Sequence, residues 1–169
     1  MDAITPLIEN SLICGGIYSL FMSSLVLGAL RYNPEVFYDD YPEPIRQHYG
    51  PISSTGQRDR KVMVGLLVIG LLAVPLALVW QIKLRLGGEM PFLSAAVAAY
   101  IILGMFQLVD LVLIDGLLGM VIDPRWLRLP GTEHLTNHWT IEKHLRDFAK
   151  AMVILLPLAA VLGGVSLLL

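Results

Sequence analysis

Four apolar runs, each of about twenty residues or more, leave this chain few ways to fold. They cover 10–30, 62–82, 90–122 and 148–169; the first two carry no Asp, Glu, Lys or Arg, the fourth none from Ala151 on, and the third only Asp110 and Asp115. About 20 such residues make one helical crossing of the hydrocarbon core, where a helix satisfies every backbone group from within. The 56% hydrophobic content and mean hydropathy of +0.68 lie far from the mix of a water-soluble domain. The expected fold is all-α: a four-helix transmembrane bundle in one integral membrane domain, 1–169, with short interfacial helices in the two long connections. MDAITPLIEN places Asp2 and Glu9, and no basic residue, before the first run. The first helix is therefore expected to stay in the mature protein. Cys14 sits inside that helix, where it packs as a small apolar residue.

Lys and Arg mark the sides. The first connection holds Arg31, Arg46, Arg58, Arg60 and Lys61, the third Arg125, Arg128, Lys143, Arg146 and Lys150, and the second, with its short LRLGGEMP turn, only Lys83 and Arg85. This asymmetry predicts a multi-pass protein of the inner (cytoplasmic) membrane, with both long connections inside and both termini outside. The stretch RYNPEVFYDDYPEPIRQHYGP mixes aromatics, charges and prolines as headgroup-level helices and turns do. In it Asn33 and Pro34 read as a helix cap and first position. Pro130 and Gly131 break the third connection, after which Thr132 is expected to cap a helix running into the fourth span.

Helices in lipid pack through small residues, because apolar side chains gain little by leaving apolar solvent. Ser11, Gly15, Ser19 and Ser23 recur every fourth residue and form one narrow stripe, expected to face protein, whether this chain, a second copy or a partner membrane subunit. Gly65 and Gly70 drift around the second span, Pro75 is expected to kink it, and Gly163 with Gly164 to loosen the end of the fourth.

The two aspartates of FQLVDLVLIDGLLG are the sharpest polar feature. A charged carboxylate at mid-membrane costs roughly 2.5–3.5 kcal/mol, so each is expected to be paired, protonated or open to a watery cavity. On an α-helix five residues separate them by about 140°, which keeps them off one narrow face, while Gln107 shares the side of Asp110. Counted back from Asp123, Asp115 lies about 12 Å deep and Asp110 about 20 Å. The plain alternative is structural: Asp115 meets an Arg or Tyr near the headgroups, and Asp110 a Ser or Tyr of the first helix.

A second cluster, PGTEHLTNHWTIEKHLRDFAK, offers His134, His138 and Glu142 at helical steps of four, a ligand set that suits zinc or iron. The same spacing arises on a solvated or interfacial helix, and no H-E-x-x-H pattern is present. His144 falls off that stripe, beside Ile141 and Phe148, and is expected to point inward or to bond a backbone carbonyl.

N-P-E-V-F-Y-D-D-Y-P at Asn33 to Pro42, the aspartate pair late in the third span, and P-G-T-E at Pro130 to Glu133 followed by His144 resemble a family of small, functionally uncharacterised prokaryotic four-span integral membrane proteins. In that pattern the positions of Asp115, Glu133 and His144 recur, whereas those of His134 and His138 do not. The resemblance implies a four-span fold over most of the chain; it implies no activity, cofactor or partner.

Three functions follow as expectations. The first is a polar site at the cytoplasmic end of the bundle, built by Asp110, Asp115, Glu133, His144 and Asp39 or Asp40, binding or acting on an amphipathic substrate such as a lipid or quinone. The second is a non-catalytic accessory subunit or assembly factor docked through the Ser11 stripe. The third is a proton-coupled transporter working as an oligomer, since four spans enclose little path and no inverted repeat is visible. Basic residues are balanced by nearby acids, which disfavours nucleic acid as a partner. No phosphate-binding G-x-x-x-x-G-K-[ST] loop and no G-x-S-x-G elbow occurs.

Overall fold

The structure is a computed structural model and describes residues 4–135 and 140–169. Its long helices are α1 (Ile4–Tyr32), α3 (Ser54–Arg85), α4 (Phe92–Val109, continued as a π-helix over Asp110–Ile122) and α5 (Ile141–Ser166). A short α2 (Glu43–Tyr49) follows a 3₁₀ segment, Pro34–Asp40, in the first long connection. All four long helices have the length and hydropathy of membrane spans, so the chain is an all-α, four-helix, multi-pass membrane protein. α4 packs closely on α1 and on α5, while α3 touches all three more thinly.

Both long connections lie at one end and are tied together there. The Tyr41 hydroxyl donates to the Leu127 carbonyl, and Lys143 Nζ reaches the Asp40 carbonyl at 3.4 Å. Beside them Tyr41, Ile45 and Leu129 form a small apolar cluster. At the other end Lys83 Nζ donates to the Ser166 carbonyl at 3.3 Å, and Arg85 to the Asn10 side chain at 3.4 Å. Asn33 caps the 3₁₀ segment, its Oδ1 accepting from the Glu35 N–H at 3.0 Å, with Pro34 at the first position.

Small residues govern the closest contacts, though not all of those expected. Ser11, Gly15 and Ser19 are buried against α4, where a Cβ on Gly15 would come within 2.6 Å of Met105 Sδ. The Ser11 and Ser19 hydroxyls turn back to the carbonyls one turn earlier, at 2.7 Å, so these two present no free donor to a neighbour. Ser11, Gly15 and Ser19 are thus covered within the chain, while Ser23, the fourth of the stripe, is half-buried with a hydroxyl that meets no hydrogen-bond partner among the described residues. Gly163, expected to loosen α5, instead marks its tightest approach: a Cβ there would lie 2.6 Å from the Ala96 backbone nitrogen, across from the fully buried Ala95, Ala98 and Ala99. α3 runs on through Pro75 as one helix. No helix starts at Thr132 among the described residues; Thr132 is buried in a turn and donates to the Leu129 carbonyl at 2.8 Å, and α5 spans Ile141–Ser166, capped by Thr140.

The main departure is the π-helix. Its backbone bonds skip five residues, as at its end, where the Asp123 N–H meets the Leu118 carbonyl at 2.8 Å and Asp123 turns left-handed with φ 43°. Gly116 and Gly119 lower the α preference of this stretch, and such windings concentrate at functional sites. Winding with i→i+5 bonds brings residues five apart onto one side, so the 140° separation expected for Asp110 and Asp115 does not hold. The depths counted with the α-helical rise do not hold either.

Candidate functional site

A cavity of about 470 Å³ opens among α1, α3, the π-helix and the start of α5, at the end that carries both long connections. Its lower walls are apolar: Met22, Val26 and Leu30 from α1, Val64, Leu67, Val68 and Leu71 from α3, and Phe106 and Ile114. Its roof is polar, with Asp40, Gln107, Asp110, Asp115, Lys143, His144 and Asp147 all on the lining.

The roof is assembled from three elements. The π-helix presents Asp110 and Asp115 together, with Gln107 from the last turn of α4. α5, starting at Ile141, turns Lys143, His144 and Asp147 inward on one face. The 3₁₀ segment supplies Asp40 at its last residue, open to the cavity. His144 Nδ1 lies 2.7 Å from Asp115 Oδ2, with the imidazole 11% and the carboxyl 25% exposed. That is hydrogen-bond contact, and it fixes the ring against the π-helix. Asp40 is held above the usual carboxylate range by its enclosure in protein; Lys143 and Arg60 work against this, and Asp39 and Asp115 add to it.

Along α3 the cavity is edged by residues that stay exposed. α1 and α3 meet at Gly70, where a Cβ would come within 2.8 Å of Met22 Sδ. At Gly56 the buried Glu35 carboxylate leaves no room for a Cβ. Between these contacts nothing opposes Gly65, and Val64 and Val68 line the cavity while remaining 49% and 46% exposed. The upper contact is a built clamp. Glu35 accepts from the Tyr49 hydroxyl at 2.7 Å, from the Ser53 N–H at 2.8 Å and from the Ser53 hydroxyl. Burial pushes its carboxyl up, but the Ser53 and Tyr49 bonds outweigh this and hold it below the usual range.

Of the expected site residues, the structure brings Asp110, Asp115, His144 and Asp40 to one cavity and leaves Glu133, Asp39, His134 and Glu142 off its lining. Glu133 is exposed in the turn after Pro130, bonded to its own N–H and to that of Gly131 at 3.1 Å, which keep it below the usual range. Asp39 points away and pairs with Arg60. His134 lies in the same turn, its ring edge-on to His48 at 5.1 Å, and Glu142 is exposed and paired with Arg146 at 2.9 Å. His138 lies outside the described residues. Because α5 begins after this turn, His134 and Glu142 share no helical stripe, and among the described residues no three His, Cys, Asp or Glu side chains gather to hold a metal ion. Lys143 and Asp147 were missed. Their signal was present, since both sit on the helical face of His144 at steps of one and three.

No model of a known protein family, no curated protein and no solved structure matches the chain.

Proposed function

We propose that this membrane protein binds an amphipathic molecule drawn from the bilayer and exchanges a proton with its polar head through His144 and Asp115. The reading rests on the cavity itself: apolar walls of helical span residues beneath a roof of carboxylates, an amide, an amine and an imidazole. Its volume lies within the usual range of small-molecule sites, about 300–1,000 Å³. An imidazole oriented by a carboxylate is a common proton-exchanging unit near neutral pH, because the pairing fixes both ring position and tautomer. The ten-to-two excess of Lys and Arg in the long connections supports a cytoplasmic side for this roof. The resembled four-span family fits the same architecture.

The full chain, extracted in a neutral detergent and examined by native mass spectrometry, should retain an amphiphile that Leu67→Trp, which fills the cavity, excludes. Wild-type protein that carries and takes up no amphiphile would overturn the proposal.

A further inference from the structure

The polar groups of the roof divide into those already bonded and those left over. Asp115 is engaged by His144, Asp147 pairs with Lys150 at 3.1 Å, Lys143 donates to the Asp40 carbonyl, and the Tyr41 hydroxyl donates to Leu127. The side chains of Asp40, Gln107 and Asp110 form no hydrogen bond or ion pair with any described residue, yet all three line the cavity. They approach from two elements, Asp40 from the 3₁₀ segment and Gln107 with Asp110 from consecutive turns of the third span. Two carboxylates are acceptors in want of donors, and the Gln107 amide adds an acceptor oxygen alongside its own NH2. A head that only accepts, such as a quinone carbonyl or a phosphate, would set lone pairs against lone pairs there. An ammonium group supplies three donors, no acceptor and the opposite charge.

Beneath these acceptors lies a wall of Met22, Val26, Leu67 and Leu71 that accepts hydrocarbon. Between the Gly56 and Gly70 contacts nothing lies against Gly65, and Val64 and Val68, on the lining beside that wall, remain exposed. We propose that the cavity takes a single-tailed amphiphilic amine, entering sideways between α1 and α3, with its ammonium held by Asp40, Gln107 and Asp110 and its alkyl chain laid along the α1–α3 wall. The inference rests on the reading that the cavity binds an amphiphile, and it specifies the head.

Three probes of one chain length separate the two claims: dodecylamine, dodecanol and dodecyl sulfate, each titrated onto the full chain in neutral-lipid nanodiscs with retention read by native mass spectrometry. The amine should be held at least about tenfold more tightly than the alcohol, and the sulfate least. Asp110→Asn and Asp40→Asn, near-isosteric changes whose unliganded melting temperatures verify the fold, should each reduce the amine's advantage, and together they should abolish it. Equal retention of amine and alcohol by wild type, with both excluded by Leu67→Trp, overturns the assigned head while leaving the cavity reading intact. An amine preference that survives in the double variant also overturns it. Retention of no probe, or retention unchanged by Leu67→Trp, removes the cavity reading and this inference with it.

Discussion

His144 Nδ1 and Asp115 Oδ2 stand 2.7 Å apart, joining the first turns of the last span to the middle of the π-helix. The contact binds two segments that the chain separates by a long connection, and it places an imidazole in the polar roof above apolar walls. Removing either partner takes a bond from a half-enclosed polar group, which costs more than the pair contributes net. His144→Ala and Asp115→Asn should each destabilise the full chain in detergent by about 1–3 kcal/mol. The double variant should lose at least about 0.5 kcal/mol less than the sum. Strictly additive losses in a denaturation cycle would show the contact to be energetically idle.

Two acids at the polar end should respond to pH with opposite signs. Glu35 has a folded pKa below its ordinary value, so its contribution is present above the unfolded carboxylate range and is lost as pH falls through the folded value. Glu35→Gln should therefore lower the melting temperature by a few degrees at pH 7, with the gap closing in acid. Asp40 is raised, so its cost appears as pH rises through the folded value. Asp40→Asn should raise the melting temperature at pH 8 and leave it unchanged at pH 4. The two melting profiles check both signs, and parallel curves for wild type and variants would contradict them.

Alanine at three glycines should rank the helix contacts. At Gly163 the new methyl meets the backbone of Ala96, which cannot move aside, and the cost should be about 1–3 kcal/mol. At Gly15 it meets the flexible end of Met105, and the cost should stay under about 1 kcal/mol. At Gly65 it meets open space, and the change should be neutral or slightly stabilising. Melting temperatures of the three variants test the order; a Gly15→Ala loss larger than that of Gly163→Ala would reverse the assignment of the tightest interface.

Sidedness is open to a direct test. Ser54 is exposed at the start of α3, at the end that carries both long connections. With the wild-type Cys14 buried, Ser54→Cys should be silent to an impermeant thiol reagent applied to intact cells and reactive after lysis. Labelling from outside would invert the topology.

Much of the fold could be read from hydropathy because bilayer thickness sets helix length whatever the details of packing. The spans at 10–30 and 62–82 were recognised, and the helices extend past them to Ile4–Tyr32 and Ser54–Arg85 because polar ends continue the winding outside the hydrocarbon. The Ser11, Gly15 and Ser19 stripe could be read as a protein-facing surface, but its partner could not, since sequence spacing does not say which helix lies opposite. Gly163 was misjudged for a related reason. A glycine near a helix end looks permissive until a backbone is found against it. At the site, Asp110, Asp115 and His144 stand out as polar groups in or beside apolar runs, whereas Glu133 enters only through the resemblance that P-G-T-E carries and lies exposed off the cavity lining. The geometry of the aspartate pair escaped a reading that assumed 3.6 residues per turn, because no residue pattern announces i→i+5 bonding.

That winding also has a consequence for chain length. A π-helix consumes about one residue more per turn than an α-helix, so the span from Asp110 to Asp115 holds a surplus residue. Deleting Val112 would turn the spacing into D-x-x-x-D, which an ordinary α-turn already sets on one face. Such a shortened chain should keep both carboxylates toward the cavity, with the coupling to His144 retained, while the remaining residues relax toward α winding. A deletion variant that unfolds or loses that coupling would show that the width of the π-helix itself, and not merely the shared face, is what the site requires.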